Sequence, residues 1–108
     1  MLYAVSARLV NARASELLSR LSDGSIAAQR PDGREIVAAM HRARVAQDGT
    51  VRWTETCYCR PPLKHERETV LDRHFDDIAT EAIDVPVGFS GRPLMEMLRE
   101  IGSGERQG

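Results

Sequence analysis

The residue pair Asp48-Gly49, set between two runs rich in strand-forming side chains, constrains this chain more than any other feature. A two-residue hairpin loop of type I′ needs positive φ at both central positions, and Asp-Gly supplies it at low cost. The runs Glu35–Ala46 and Val51–Cys59 are therefore expected to form the two strands of an antiparallel hairpin. With Asp48 and Gly49 as the loop, Gln47 pairs with Thr50. Arg44 then faces Trp53, Arg42 faces Glu55 and Met40 faces Cys57. This register sets an opposite-charge pair and a cation over an aromatic ring on one face.

Other elements follow from periodicity. Leu2–Val10 alternates as a strand, with Tyr3, Val5, Ala7 and Leu9 on one face. Asn11 is placed to cap a helix over Ala12–Ser22, where Ala14, Leu17, Leu18 and Leu21 recur at helical spacing. Pro62 opens a second helix, expected to run to Ile78. A last strand falls within Glu81–Phe89, and Pro93–Ile101 reads as a short terminal helix. The order β-α-β-β-α-β predicts an α+β chain folded as a ferredoxin-like plait, two helices on one face of a four-stranded antiparallel sheet. Residues 1–101 form one domain in this reading, and the polar, Gly-rich stretch 102–108 is a flexible tail.

By this order of elements the chain resembles small bacterial proteins of the dimeric α+β-barrel type, over residues 1–89. The resemblance implies an architecture that pairs through open sheet faces. It implies no activity, because the fold hosts many.

Composition removes several function classes. Among 108 residues, 42% hydrophobic, 15 basic side chains offset 16 acidic ones for a net charge of −1. That balance offers no basic field for nucleic acid. No apolar run approaches the length of a membrane span, and the first residues lack the pattern of a signal peptide. Two cysteines make no secreted disulfide framework, so a cytoplasmic protein with reduced thiols is expected. Arg outnumbers a single Lys, Lys64, a bias typical of GC-rich bacterial genes.

The hairpin also carries an argument about assembly. One face holds Ile36, Ala38, Met40, Cys57 and Cys59; the other holds Val37, Ala39, Ala43, Val45 and Tyr58 with Thr54 and Thr56. Neither is clearly polar, and the helices cover only one. An antiparallel sheet open to water alternates more sharply, so the second face is expected to meet another copy in a homodimer.

Unusual side chains concentrate between Trp53 and Phe75. At about 100° per residue, Leu63, Val70, Leu71 and Ile78 form the apolar face of the second helix, with Arg67 and His74 at its centre. An inward Arg requires a partner, and Glu55 is the nearest carboxylate. One reading makes these residues a pocket between helix and sheet. Arg67, Glu55, Trp53, Cys57 and Cys59 bind a small anionic ligand there, and His74 moves a proton. The other makes them a buried polar clasp. Cys57 and Cys59 share a strand face, but with His74 they lack a fourth ligand, so no metal and no cofactor is assigned. His65, Thr69, Asp72 and Asp76 form a polar stripe on the opposite side.

Nucleotide-binding, zinc-protease and serine-hydrolase motifs are absent from the sequence. The preferred reading is a homodimeric ligand-binding or accessory protein. The alternatives are a small enzyme using His74 as acid or base and a protein-interaction module docking through the polar stripe.

Overall fold

The computed structural model describes residues 1–107, with side chains described through Ser103. Strand β1 spans Leu2–Leu9 and buries Val5 and Ala7 as its alternation requires, with Tyr3 and Leu9 packed against the same core. A 3-10 turn, Asn11–Arg13, leads into helix α1, Ala14–Ser22, whose Ala14, Leu17 and Leu21 are buried. Asn11 sits inside that turn and makes no side-chain cap.

The expected first strand of the hairpin is largely a helix. Residues Gly33–Arg42 form α2, and only Arg44–Val45 remain as strand β2. The apolar run from Ile36 to Met40 satisfies a helical stripe as well as a strand: Ile36, Ala39, Met40 and then Ala43 lie at i, i+3, i+4 and i+7, and all four are buried. Gly33 opens α2 against the preceding chain so closely that a Cβ there would meet Ile26 O at 2.1 Å.

Strand β3, Thr50–Thr56, buries Val51, Trp53 and Glu55 on one face. The turn keeps its location and changes its type. Arg44 faces Arg52 and Val45 faces Val51, leaving Gln47, Asp48 and Gly49 as a three-residue loop. Gly49 has φ 88°, while Asp48 stays out of the left-handed region and instead accepts the Thr50 N–H on its carboxylate at 2.9 Å. A three-residue loop needs only one left-handed residue, here the glycine. The register therefore moves by one position, and the pairs expected of Arg42 with Glu55, Arg44 with Trp53 and Met40 with Cys57 do not form. Arg42 bonds Glu35 at 2.8 Å and the Thr54 carbonyl at 2.7 Å.

The second helical segment is shorter than its apolar pattern suggests. It comprises α3, Lys64–Glu66, a π-helical turn, Arg67–Leu71, and α4, Asp72–His74. Strand β4 begins at once, Phe75–Ile83, earlier than the strand expected within Glu81–Phe89. Phe75 pairs with Leu9 of β1 and packs on Trp53, ring centroids 5.5 Å apart and tilted by 52°. Such an aromatic contact adds about 0.5–1.5 kcal/mol to burial. Strand β5, Arg92–Pro93, precedes helix α5, Leu94–Gln107, which continues past Gly102. The remainder of the expected tail, Gly108, lies outside the described residues.

The fold is α+β. The sheet has five strands in the order β4-β1-β3-β2-β5, with every neighbouring pair antiparallel, one strand more than expected. Helices α1, α2 and α5 and the segment from α3 to α4 cover one face, around a core of Leu17, Ile36, Trp53, Leu71, Phe75 and Leu98. The other face presents Ala4, Ser6, Arg52 and Thr54, with Phe89 lying beside them. No helix among the described residues is long and apolar enough to cross a membrane.

Candidate functional site

The π turn decides which side chains reach the sheet. The Asp72 N–H donates to the Arg67 carbonyl, five residues back, so each turn here holds one residue more than an α-helix would give it. The first turn is thereby rotated relative to the second. Glu66, rather than Arg67, stands over Val70 and Leu71 on the inward face, and its exposure is 1%. Arg67 points outward and bonds Asp72 at 2.8 Å, with 43% of its side chain exposed. The pairing of Arg67 with Glu55 is therefore replaced by a pairing of Glu66 with Glu55.

That pair is the unusual feature of the molecule. Glu55, on the buried face of β3, accepts the Trp53 indole N–H on Oε1 at 2.7 Å. Its carboxyl is a hydrogen-bond neighbour of the Glu66 carboxyl. Oε2 of Glu55 and Oε2 of Glu66 are both buried and have no donor from any other described residue. Two ionised carboxylates are acceptors only and repel; one proton between them turns one into a donor and removes one charge. The surroundings favour that state. Burial pushes the Glu66 carboxyl up to about 11, with the Glu55 carboxyl adding to the effect. Burial raises the Glu55 carboxyl as well, while the bonds from Glu66 and Trp53 oppose it. Both carboxyls are raised, so the pair keeps a proton in common at neutral pH.

Glu66 forms part of the wall of a cavity of about 390 Å3. The rest of the wall comes from Pro31, Asp32 and Glu35 around the start of α2 and from Thr56, Cys57, Tyr58 and Cys59 beyond the end of β3. The volume lies in the range of small-ligand sites. Cys57 extends the sheet by donating its N–H to the Met1 carbonyl at 2.9 Å, and both cysteines are free thiols. Cys57 Sγ accepts the Cys59 N–H at 3.2 Å. The His65 backbone N–H favours the Cys59 thiolate, but the Cys57 thiol, burial and the charge of Asp32 outweigh it and leave the Cys59 thiol raised. Tyr58 stands at the rim, 84% exposed.

The remaining charges at the cavity are paired. His65 Nδ1 lies 3.0 Å from each Asp32 oxygen, and Arg42 holds Glu35. None of the eight lining residues is basic, so the anion expected beside Arg67 has no counterpart here.

His74 lies elsewhere. It is fully buried, with Nδ1 2.8 Å from the Val70 carbonyl and Nε2 2.8 Å from Glu16 Oε2. Arg73 grips the same Glu16 carboxylate with two bonds of 2.6 and 2.7 Å. Arg73, together with His74, holds that carboxyl well down, to about 2, against its own desolvation. The result is a clasp joining α1 to α4, and both ring nitrogens of His74 are engaged in it. Of the residues expected to act together, Cys57 and Cys59 line the Glu66 cavity, and Glu55 with its bonded Trp53 neighbours Glu66, while Arg67 and His74 stand apart from it. The polar stripe is also partly consumed: His65 is bound to Asp32, Thr69 donates to the His65 carbonyl at 2.9 Å, and Asp72 is bound to Arg67. Among the described residues no group of three or more His, Cys, Asp or Glu side chains is arranged to hold a metal ion.

No protein-family model matches this sequence, no curated protein matches it, and no solved structure matches its fold.

Proposed function

We propose that this chain is a small ligand-binding protein whose site is the cavity between the start of α2 and the end of β3. One observation carries the reading: a buried carboxyl, Glu66, forms the wall of a cavity large enough for a small molecule. Burying a polar group without full partners costs stability, and proteins keep such groups at functional sites more often than elsewhere. An enzymatic reading through His74 has less support, since that ring is bonded at both nitrogens and sealed from solvent.

The finer fold assignment belongs to the same proposal. The strand order β4-β1-β3-β2, with β5 added at one edge, supports a ferredoxin-like plait extended by a short strand. Pairing of two copies through the sheet face opposite the helices is supported by its small side chains, Ala4, Ser6 and Thr54, and by the exposed Val87 beside it. Two free thiols fit a reducing compartment such as the cytoplasm.

An amide-detected NMR screen of small soluble compounds tests the site. Shifts concentrated at Asp32, Glu66 and Thr56–Cys59 are expected. Binders that shift only the Phe89 side of the sheet would overturn the assignment. Sedimentation equilibrium tests the pairing: a dimer is expected, and a charge placed beside Ser6 on that face by Ala79→Glu should dissociate it, whereas a monomeric wild-type chain would refute it.

A further inference from the structure

The ligand-site reading leaves the class of ligand open, and the charges around the cavity narrow it. We propose that the cavity takes a small organic cation, with a guanidinium or ammonium group docked against the Glu55–Glu66 carboxyl pair and its flank against Tyr58. This inference rests on the cavity being a ligand site.

Three observations support it. First, the wall contains three carboxyl groups, Asp32, Glu35 and Glu66, and no basic side chain. Asp32 and Glu35 each have a partner already, the His65 ring and Arg42, so the pair formed by Glu66 and Glu55 is the acidic feature without one. Second, Glu66 is buried to 99% and its Oε2 has no donor from another side chain or the backbone. A guanidinium supplies planar N–H donors in a fork that matches carboxyl oxygens, and an ammonium supplies three. Third, Tyr58 holds an aromatic ring at the rim, 84% exposed, where packing gives no reason for it. An aromatic face attracts a cation and stacks on a guanidinium plane.

Binding is then coupled to a proton. By itself the pair holds one proton and one negative charge. An arriving cation takes over the role of that proton: the O–H bond of Glu66 breaks, the proton leaves to solvent, and two carboxylates face one cation. The net charge of the pair with its occupant stays at −1. Groups facing the pair are Trp53 on β3, Cys57 beyond it, and Asp32 and Glu35 from the α2 side, and the partners of these carboxylates, the His65 ring and Arg42, are engaged by them rather than by the pair.

The test uses ethylguanidinium, which keeps its charge across the neutral range, and its neutral analogue ethylurea, titrated into the full chain by NMR and calorimetry. We expect ethylguanidinium to shift Thr56–Cys59 and Glu66 and to bind at least tenfold more tightly than ethylurea. Its affinity should rise with pH between about 6 and 8, approaching tenfold per unit for one proton released. Glu66→Gln should remove that pH dependence, Glu55→Gln with Glu66→Gln should remove tight binding, and Tyr58→Ala should weaken it several-fold. Equal binding of ethylurea at the same residues would leave the cavity as a ligand site and overturn its preference for cations. Binding of ethylguanidinium with no pH dependence would overturn the proton exchange. If neither compound, nor any other small probe, shifts these residues, the ligand-site reading itself fails.

Discussion

Trp53 donates its indole N–H to Glu55 Oε1 at 2.7 Å from two positions along the same strand face, while the other oxygen of Glu55 stays buried without a donor. The indole bond opposes the rise that burial imposes on Glu55, and Glu66, on the helical segment, has no such donor. The arrangement is costly. It places two carboxyl groups out of water with one N–H donor between them.

The first prediction concerns pH and Glu66. A carboxyl whose proton is held more tightly in the folded chain contributes stability fully below its ordinary value, 4.5, and loses it as pH rises toward about 11. Folding stability should therefore fall with rising pH through the neutral range, by up to about 1.4 kcal/mol per unit. Glu66→Gln keeps the shape, donates to Glu55 and carries no titrating proton. Urea melts at pH 5, 7 and 9 should show a flatter profile for the variant and greater stability than wild type at pH 9.

Glu16 gives the opposite sign. Its carboxyl is held at about 2 in the folded chain, below the ordinary 4.5. The stability it contributes is present above pH 4.5 and is lost as pH falls toward 2. Glu16→Gln should be less stable than wild type at neutral pH and converge with it at pH 2, as read by denaturation midpoints at each pH.

Two neighbours on the same helical segment should respond very differently to truncation. Arg67 makes one surface ion pair with Asp72, so Arg67→Ala should change stability by no more than about 0.5 kcal/mol. His74 is sealed in the core between Val70 and Glu16, so His74→Ala should cost about 2–4 kcal/mol. Thermal unfolding of both variants checks this. A large loss at Arg67 would return that side chain to the inward face.

Glycines test the sheet edge. Gly24 has φ 85° with nothing within 4 Å of an added Cβ, so Gly24→Ala should cost only the left-handed backbone penalty, about 1–2 kcal/mol. Gly91 has φ 122°, and a Cβ there would stand 2.3 Å from the Val45 carbonyl oxygen. Gly91→Ala should cost more than about 3 kcal/mol or release β5, which pairs with β2 at Val45 and Arg92. Hydrogen exchange at Leu94, whose N–H bonds the Ala43 carbonyl, reports the release.

Much of this fold was legible from local pattern. The alternation at Val5 and Ala7, the spacing of Leu17 and Leu21, and the turn at Asp48-Gly49 each place an element correctly. The run at Ile36–Met40 misleads because β-branched residues followed by alanines fit a strand face and a helical stripe alike; tertiary packing chose the helix. The one-residue register shift comes with a three-residue loop in which only Gly49 is left-handed, a choice that the Asp-Gly pair does not disclose. The site was half legible. Glu55, Trp53 and the two cysteines stood out by type and position, but Glu66 did not, because a lone Glu beside His65 reads as a solvated charge. Only the π turn, which leaves no sequence signature here, carries it inward in place of Arg67.

The most direct test of this account is the protonation state of Glu66 at neutral pH, read by carboxyl-carbon NMR of the glutamate-labelled protein. A glutamate signal in the protonated position at pH 7, missing from Glu66→Gln and persisting to alkaline pH, is predicted. A spectrum in which every glutamate carboxyl is ionised at pH 7 would contradict it.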